Sequence, residues 1–273
     1  MEFLMKKLIN KNNVRAISFS VIAGLGLFSI AAPASADFVA FEIRNTPTIN
    51  ISGAVTEFII DGGGDKAALG SNDINGSTIG EITSLSIERL DDPSRFTAGS
   101  GPNVAPYFNL WITDGAGNFA VVANEPSNGA FQPLYNDGYD LSFADLSDKV
   151  AKIYENSSTP WLPNSGIGLT FADLANFVIQ APTIAELTAS WGGLGTGAPR
   201  EIGTNVAYGV NWVFGDTLAN YVSGDSGYRV TNANVEAAKV SEPALLALFS
   251  LGLVGMTASK RRKIRLFKAT QNV

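Results

Sequence analysis

Between Asp37 and Lys239 the apolar residues recur at every second position, in short runs broken by Gly, Asn and Asp. Val39, Phe41 and Ile43 alternate with Ala40, Glu42 and Arg44, the period of a strand with one covered face. Phe58 and Ile60 close a second run at Asp61-Gly62-Gly63-Gly64-Asp65, a turn rich in residues that tolerate positive φ. Leu85 and Ile87 mark a third strand within Glu81–Leu90. Tyr107–Thr113 and Asn118–Asn124 flank Asp114-Gly115-Ala116-Gly117 and predict a hairpin. Tyr208, Val210, Trp212 and Phe214 share one face, opposite Gly209, Asn211 and Val213, and a last strand, Tyr228–Val235, follows the loop Asp216–Gly227. Many short strands separated by turns predict an antiparallel β-sandwich, jelly-roll-like, in one domain.

Two or three short helices are expected inside this β pattern. Ser142 with Asp145 reads as an acidic capping box, and Leu146, Val150 and Ile153 then fall at i, i+4 and i+7. Thr170 with Asp173 repeats the start, followed by Leu174, Phe177 and Val178. Phe-Ala-Asp-Leu occurs in both places, an echo too short for a duplication. Thr183–Trp191 fits helix and strand equally.

The two ends of the chain follow a different pattern. Lys6, Lys7, Lys11 and Arg15 precede an apolar run from Ala16 to Ala32 and then Ala34-Ser35-Ala36, the layout of a signal peptide cleaved before Asp37. At the other end Val240-Ser241-Glu242-Pro243 leads into an uncharged apolar run, Ala244–Ala258, and then Lys260-Arg261-Arg262-Lys263. Pro243 suits the first turn of a helix. A helix through the run spans about 22 Å at roughly 1.5 Å per residue, against a hydrocarbon core of roughly 30 Å. Flanking cations that snorkel and a bilayer that thins make it a weak anchor, and the basic cluster belongs on the cytoplasmic side. The expected organisation is a signal peptide (1–36), an extracellular sandwich (37–239) and a tail (240–273) with a membrane helix at 244–259.

The tail resembles the PEP-CTERM sorting signal of exported bacterial proteins over Val240–Lys263. Ser241 stands where that family usually has its first proline, and ten residues follow the basic cluster. The resemblance implies recognition by an intramembrane exosortase, which removes the tail as the protein passes to the surface. Gly101–Asn128, with Pro106–Gly115 inside it, and Gly209–Tyr221, with Asn211–Thr217 and Asn220-Tyr221, also look like the exported domains ahead of such tails, which implies a surface β-sandwich and carries no activity with it.

Charge and composition narrow the chemistry. Ten of the 19 basic residues lie in the two end segments, against two of the 25 acidic ones, so residues 37–239 stand near −14. That balance disfavours nucleic acid and anionic lipid as partners. The chain has no cysteine and no histidine. Disulfides are excluded, as are Ser-His-Asp and Cys-His catalysis and metal sites built on imidazole or thiolate. Carboxylate-based glycoside hydrolysis needs only Asp or Glu, yet no spacing pairs any two of Glu57, Glu81, Glu88, Glu125 and Glu201. Turn acids at Asp61, Asp65, Asp114, Asp137, Asp140, Asp216 and Asp225 are candidate calcium ligands, without EF-hand spacing. Trp161, Trp191, Tyr135, Tyr139 and Tyr221 sit in loop-like contexts suited to stacking on sugar rings, whereas Trp111 and Trp212 lie inside strands.

The sequence therefore predicts a non-catalytic protein of the cell surface or extracellular matrix, associated with exopolysaccharide and carrying no cofactor, with calcium as the one candidate ion. Signal peptidase and an exosortase are its expected processing partners, with an inner-membrane-anchored intermediate on the route. The alternative is a carboxylate-dependent glycoside hydrolase, or a calcium-dependent glycan-binding module, acting on exopolysaccharide.

Overall fold

The computed structural model describes residues 37–97, 99–124, 127–131, 134, 139–154, 160–186 and 207–238. The chain divides into compact units Met1–Ala34 and Ser35–Val273, and every described residue belongs to the second. The predicted cleavage site at Ala34 and Ala36, the motif Val240–Pro243 and the cluster Lys260–Lys263 lie outside the described residues. Among the described residues no helix is long and apolar enough to cross a membrane.

Among the described residues twelve strands form two antiparallel sheets. They are β1 (Val39–Arg44), β2 (Thr48–Ser52), β3 (Val55–Ile59), β4 (Lys66–Ser71), β5 (Ile82–Arg89), β6 (Tyr107–Thr113), β7 (Phe119–Ala123), β8 (Tyr139–Leu141), β9 (Lys152–Tyr154), β10 (Val178–Ile179), β11 (Val210–Phe214) and β12 (Tyr228–Ala237). The larger sheet runs β1-β4-β11-β6-β7-β9, with β10 beside the far end of β6, and the smaller runs β2-β3-β12-β5-β8. The hairpin predicted around Asp114–Gly117 pairs Thr113 with Phe119 and Asn109 with Ala123.

One core fills the space between the sheets. The larger sheet contributes Leu69, Phe108, Leu110, Ile112, Val122, Val210, Trp212 and Phe214; the smaller contributes Phe58, Leu85, Ile87, Tyr139, Tyr228 and Val230. Phe58 stacks on Phe214 across the gap at 4.1 Å between ring centroids. Trp212, with no exposed surface, receives Phe108 at 6.0 Å and Tyr139 at 5.0 Å, both edge-on. Aromatic pairs at these geometries add about 0.5–1.5 kcal/mol each beyond the area they bury.

The two outer faces differ in kind. On the smaller sheet Asn50, Ser52, Glu88, Asp140 and Glu236 are exposed, so one of its faces is open to solvent. The centre of the larger sheet is buried on both faces, and β4, β6 and β11 have no exposed residue at all. Its second face carries Ile43, Ala68, Val213 and Tyr107, with Phe41 against them, and a neighbouring group of Trp111 and Val121. Phe41 and Ile43 thus belong to this second face, while Ala40 meets the main core. Tyr208 crosses over too. The strand starts at Val210, two residues later than the alternation predicts, and the Tyr208 ring lies on Gly70 and Phe41. A Cβ at Gly70 would meet that ring at 2.4 Å.

The expected helices shrink to single turns. Ser142 and Asp145 do form the capping box, but α1 (Phe143–Leu146) is one turn long. Val150 then bridges Thr170, and Ile153, expected on a helix, lies in β9 with its face on the main core. Thr170 and Asp173 make the same hydrogen bonds, yet the chain turns and enters β10. In both places pairing to the sheet edge outweighs the local helix signal, which is too short to overcome the cost of nucleation.

Gly215 ends β11 at φ +94°, where a Cβ would stand 2.5 Å from the Asp65 carbonyl. Gly215→Ala is expected to lower stability by about 2 kcal/mol or more through strain and backbone contact, read as an earlier midpoint in urea denaturation. An unchanged midpoint would mean this turn is looser than described.

Candidate functional site

Several charged groups meet at one end of the sandwich, where β5 leaves and β12 enters. Leu90, Asp91, Asp92, Arg95, Phe96, Asp225 and Ser226 line a cleft of about 210 Å³ there. Its floor is built from the core upward. The Phe96 ring stacks on Tyr228 at 4.0 Å, and the Tyr228 hydroxyl donates to the Val104 carbonyl at 2.7 Å while accepting from Asn220 Nδ2 at 2.6 Å. Burial pushes the Tyr228 hydroxyl well above its ordinary pKa, so it stays a neutral donor.

Two arginines hold the walls. Arg89 forms a two-pronged ion pair with Asp91 and also donates to the Phe96 carbonyl at 2.9 Å. Both side chains of that pair are almost fully buried, and the Arg89 guanidinium lies 5.8 Å from the centre of the Tyr139 ring. Burial alone would lower the Arg89 pKa; the Asp91 bond and the nearby Asp91, Tyr139 and Tyr228 groups together raise it, so Arg89 stays charged. Arg95 spans the cleft, donating to the Ser226 carbonyl at 2.5 Å and to the Asn220 carbonyl, with Asp225 Oδ2 at 3.8 Å. Asp92 closes the turn by accepting from the Ser94 amide at 2.9 Å and the Ser94 hydroxyl at 2.7 Å, and those bonds hold its carboxyl below the ordinary aspartate range.

The candidate calcium ligands are spread over separate places. Asp65 accepts from the Gly62 amide and from Asn45 Nδ2, both at 2.9 Å, and so closes its own glycine turn beside exposed Asp61. Asp114 accepts from the amides of Ala116 and Asn118 and from Asn118 Nδ2. Asp140 is the exposed middle residue of β8. Asp216 accepts from the Gly101 amide and faces buried Lys66 at 3.8 Å, and Asp225 faces Arg95. Asp137 lies outside the described residues. Among the described residues no three His, Cys, Asp or Glu side chains converge as a metal site.

The candidate stacking rings are likewise dispersed. Tyr139 is a correction: it is 2% exposed, inside β8 and against Trp212, so its face is not offered to a ligand. Trp161 is half-buried with Phe177 at 5.7 Å, near β10 at the far end of β6. Tyr221 is half-buried at the opposite end, where its amide bonds the Ile60 carbonyl. Trp191 and Tyr135 lie outside the described residues. The candidate glutamates serve the fold: Glu57 accepts from the Gly227 amide, Glu81 from the Thr78 amide, and Glu88 from Asn232. Glu125 and Glu201 lie outside the described residues.

Sequence reading passes over Arg89, Asp91 and Arg95. The available signal is scarcity, because residues 37–239 hold nine cations among 23 acids and two of those cations fall within seven residues here. A scan of protein-family models finds no match to this chain, and searches of curated proteins and of solved structures find none either.

Asp91→Ala strands the Arg89 charge in the interior and is expected to cost about 3–5 kcal/mol, whereas the apolar pair Arg89→Met with Asp91→Leu costs less than either single change. Denaturation midpoints of the three variants decide it; a loss under about 1 kcal/mol for Asp91→Ala would show the pair to be solvated. The pH response follows from the turn acids. Ser94 lowers the carboxyl of Asp92, Ser142 that of Asp145 and Thr170 that of Asp173, while at Asp114 burial pushes upward and the Asn118 and Ala116 bonds prevail. The unfolded chain then binds more protons in acid. The stability these groups contribute is present above the ordinary aspartate pKa and is lost as pH falls through the lowered folded values, below about pH 4. With no histidine in the chain, the melting temperature is expected to stay level from about pH 5 to 8; a step near neutrality in calorimetry would contradict this.

Proposed function

We propose that this chain is a non-catalytic β-sandwich protein of the cell surface or extracellular matrix. It is exported through its N-terminal signal, held for a time by its C-terminal helix, and released from it by an exosortase of the PEP-CTERM type. The finer description of the sandwich as jelly-roll-like is part of this reading, supported by the chain's repeated crossing between the sheets.

The observation that carries the proposal is where the sandwich begins and ends. The Asp37 amide donates to Asp73 at 2.7 Å, and the Ala238 amide donates to the Glu81 carbonyl at 2.7 Å. Asp73 and Glu81 lie in one connection, between β4 and β5. Both ends of the sandwich therefore leave from the same end, as suits a cargo cut from a leader on one side and hung from a membrane helix on the other. The opposite end, with the Arg95 cleft, lies the length of β5 away, about 25 Å at roughly 3.3 Å per residue. The engagement of Glu57, Glu81 and Glu88 in structural bonds favours this reading over a hydrolase.

Mass spectrometry of the protein recovered from the producing cells tests the route. The expected form begins at Asp37 and ends near Pro243, and it keeps Lys260–Val273 when the exosortase is deleted. A secreted form still carrying Lys260–Val273 in cells with the exosortase, or protein free in the cytosol, would overturn the proposal.

A further inference from the structure

We propose that the cleft between the exit of β5 and the entry of β12 binds one neutral sugar ring of a surface polysaccharide. This deepens the surface-protein reading and rests on it for the source of the sugar. Size is the first argument. The cleft holds about 210 Å³, less than the roughly 300–1,000 Å³ of sites for drug-sized ligands, which leaves room for a single small ring.

Chemistry is the second. Adjacent sugar hydroxyls each donate and accept, so they are matched by a carboxylate beside a guanidinium. Arg95 and Asp225 supply that couple at 3.8 Å, with the Asp225 side chain 58% exposed. Two backbone carbonyls, of Ser226 and Asn220, fix the guanidinium, so that it uses only part of its five-donor fork on the protein backbone. Leu90, 39% exposed at the rim, offers an apolar surface to the C–H face of a ring.

Charge decides which sugars fit. Arg89 neutralises Asp91 and Arg95 faces Asp225, which leaves Asp92 in excess on a domain already near −14. An acidic sugar is repelled and a neutral one is not. Position completes the case, since the cleft lies at the end opposite the two points where the sandwich starts and stops. A tail-held molecule presents it outward.

The test titrates the full chain, in detergent micelles, with glucose, galactose, mannose and N-acetylglucosamine, and with glucuronate as the anionic counterpart, by saturation-transfer NMR. At least one neutral sugar is expected to bind with a Kd on the order of millimolar, glucuronate is not, and a chelator changes neither. Asp225→Asn removes a charge from an exposed side chain without touching the core; it is expected to weaken binding about tenfold or more at an unchanged melting temperature. Arg95→Lys, which loses the planar fork, gives the same result if it folds. Absence of binding by all four neutral sugars, binding indifferent to Asp225→Asn, or binding that requires calcium would each overturn the site. A correctly trimmed C-terminus without sugar binding removes the cleft proposal alone. Sugar binding by a protein that keeps its tail removes the exosortase route and leaves the cleft.

Discussion

The structure depends on one contact, the closure of two sheets over a shared aromatic layer. Trp212 and Phe214 from the larger sheet meet Tyr139, Phe58 and Tyr228 from the smaller, and all five are buried. No covalent bond reinforces this closure, because the chain has no cysteine. A domain of this size can do without one: roughly 200 residues bury a large enough share of their surface to close a single core. The aromatic rings then set both the spacing of the sheets and the directions from which loops arrive.

What the apolar layer leaves undone is finished by a few cations. At the loop end Lys66 lies buried between the Tyr107 hydroxyl at 3.1 Å and Asp216, and Arg44 donates to the carbonyls of Gly64 and Asp216. Arg89 does the same on the other sheet, and Arg95 joins loop 90–97 to loop 215–227, so four of the domain's nine cations tie loops 61–65, 90–97 and 215–227 in place. Arginine suits this work, since its planar fork reaches several carbonyls at once and stays charged when buried. An acidic surface keeps the molecule soluble and averse to anions, while its scarce positive charge is spent inside. The cleft is what remains where two of these stitches, at Arg89 and Arg95, stand side by side.

Most of the sheet content was legible in the sequence, because alternation survives wherever one face is wet or lightly covered. The strands around Phe58, Leu85 and Tyr228 announce themselves this way; those around Tyr107 and Phe119 are legible from the turn Asp114–Gly117 between them, and that around Trp212 from large side chains alternating with smaller ones, although these strands are covered on both faces. Lys-Ala-Ala-Leu-Gly-Ser, which forms β4, does not: it is buried on both faces, so small residues replace the alternation. Leu146, Val150 and Ile153 mislead for the opposite reason. Their spacing fits a helix, but a single capped turn followed by an edge strand satisfies the same residues. The site was less legible still. Asp225 stands among the sequence-derived candidates, yet its partner Arg95 lies 130 residues away and the turn that joins them is set by tertiary contacts. Tyr139 shows the converse: a short strand placed by pairing turns a loop-like tyrosine into core.

Native-state hydrogen exchange tests the shared aromatic closure most directly. If the two sheets stand or fall together, the slowest amides of β6 and β11 in one and of β12 and β5 in the other exchange with the same opening free energy, and Trp212→Ala lowers both by about 3–5 kcal/mol. Two distinct free energies, with the smaller sheet unaffected by Trp212→Ala, would show two sheets stable apart and contradict the account.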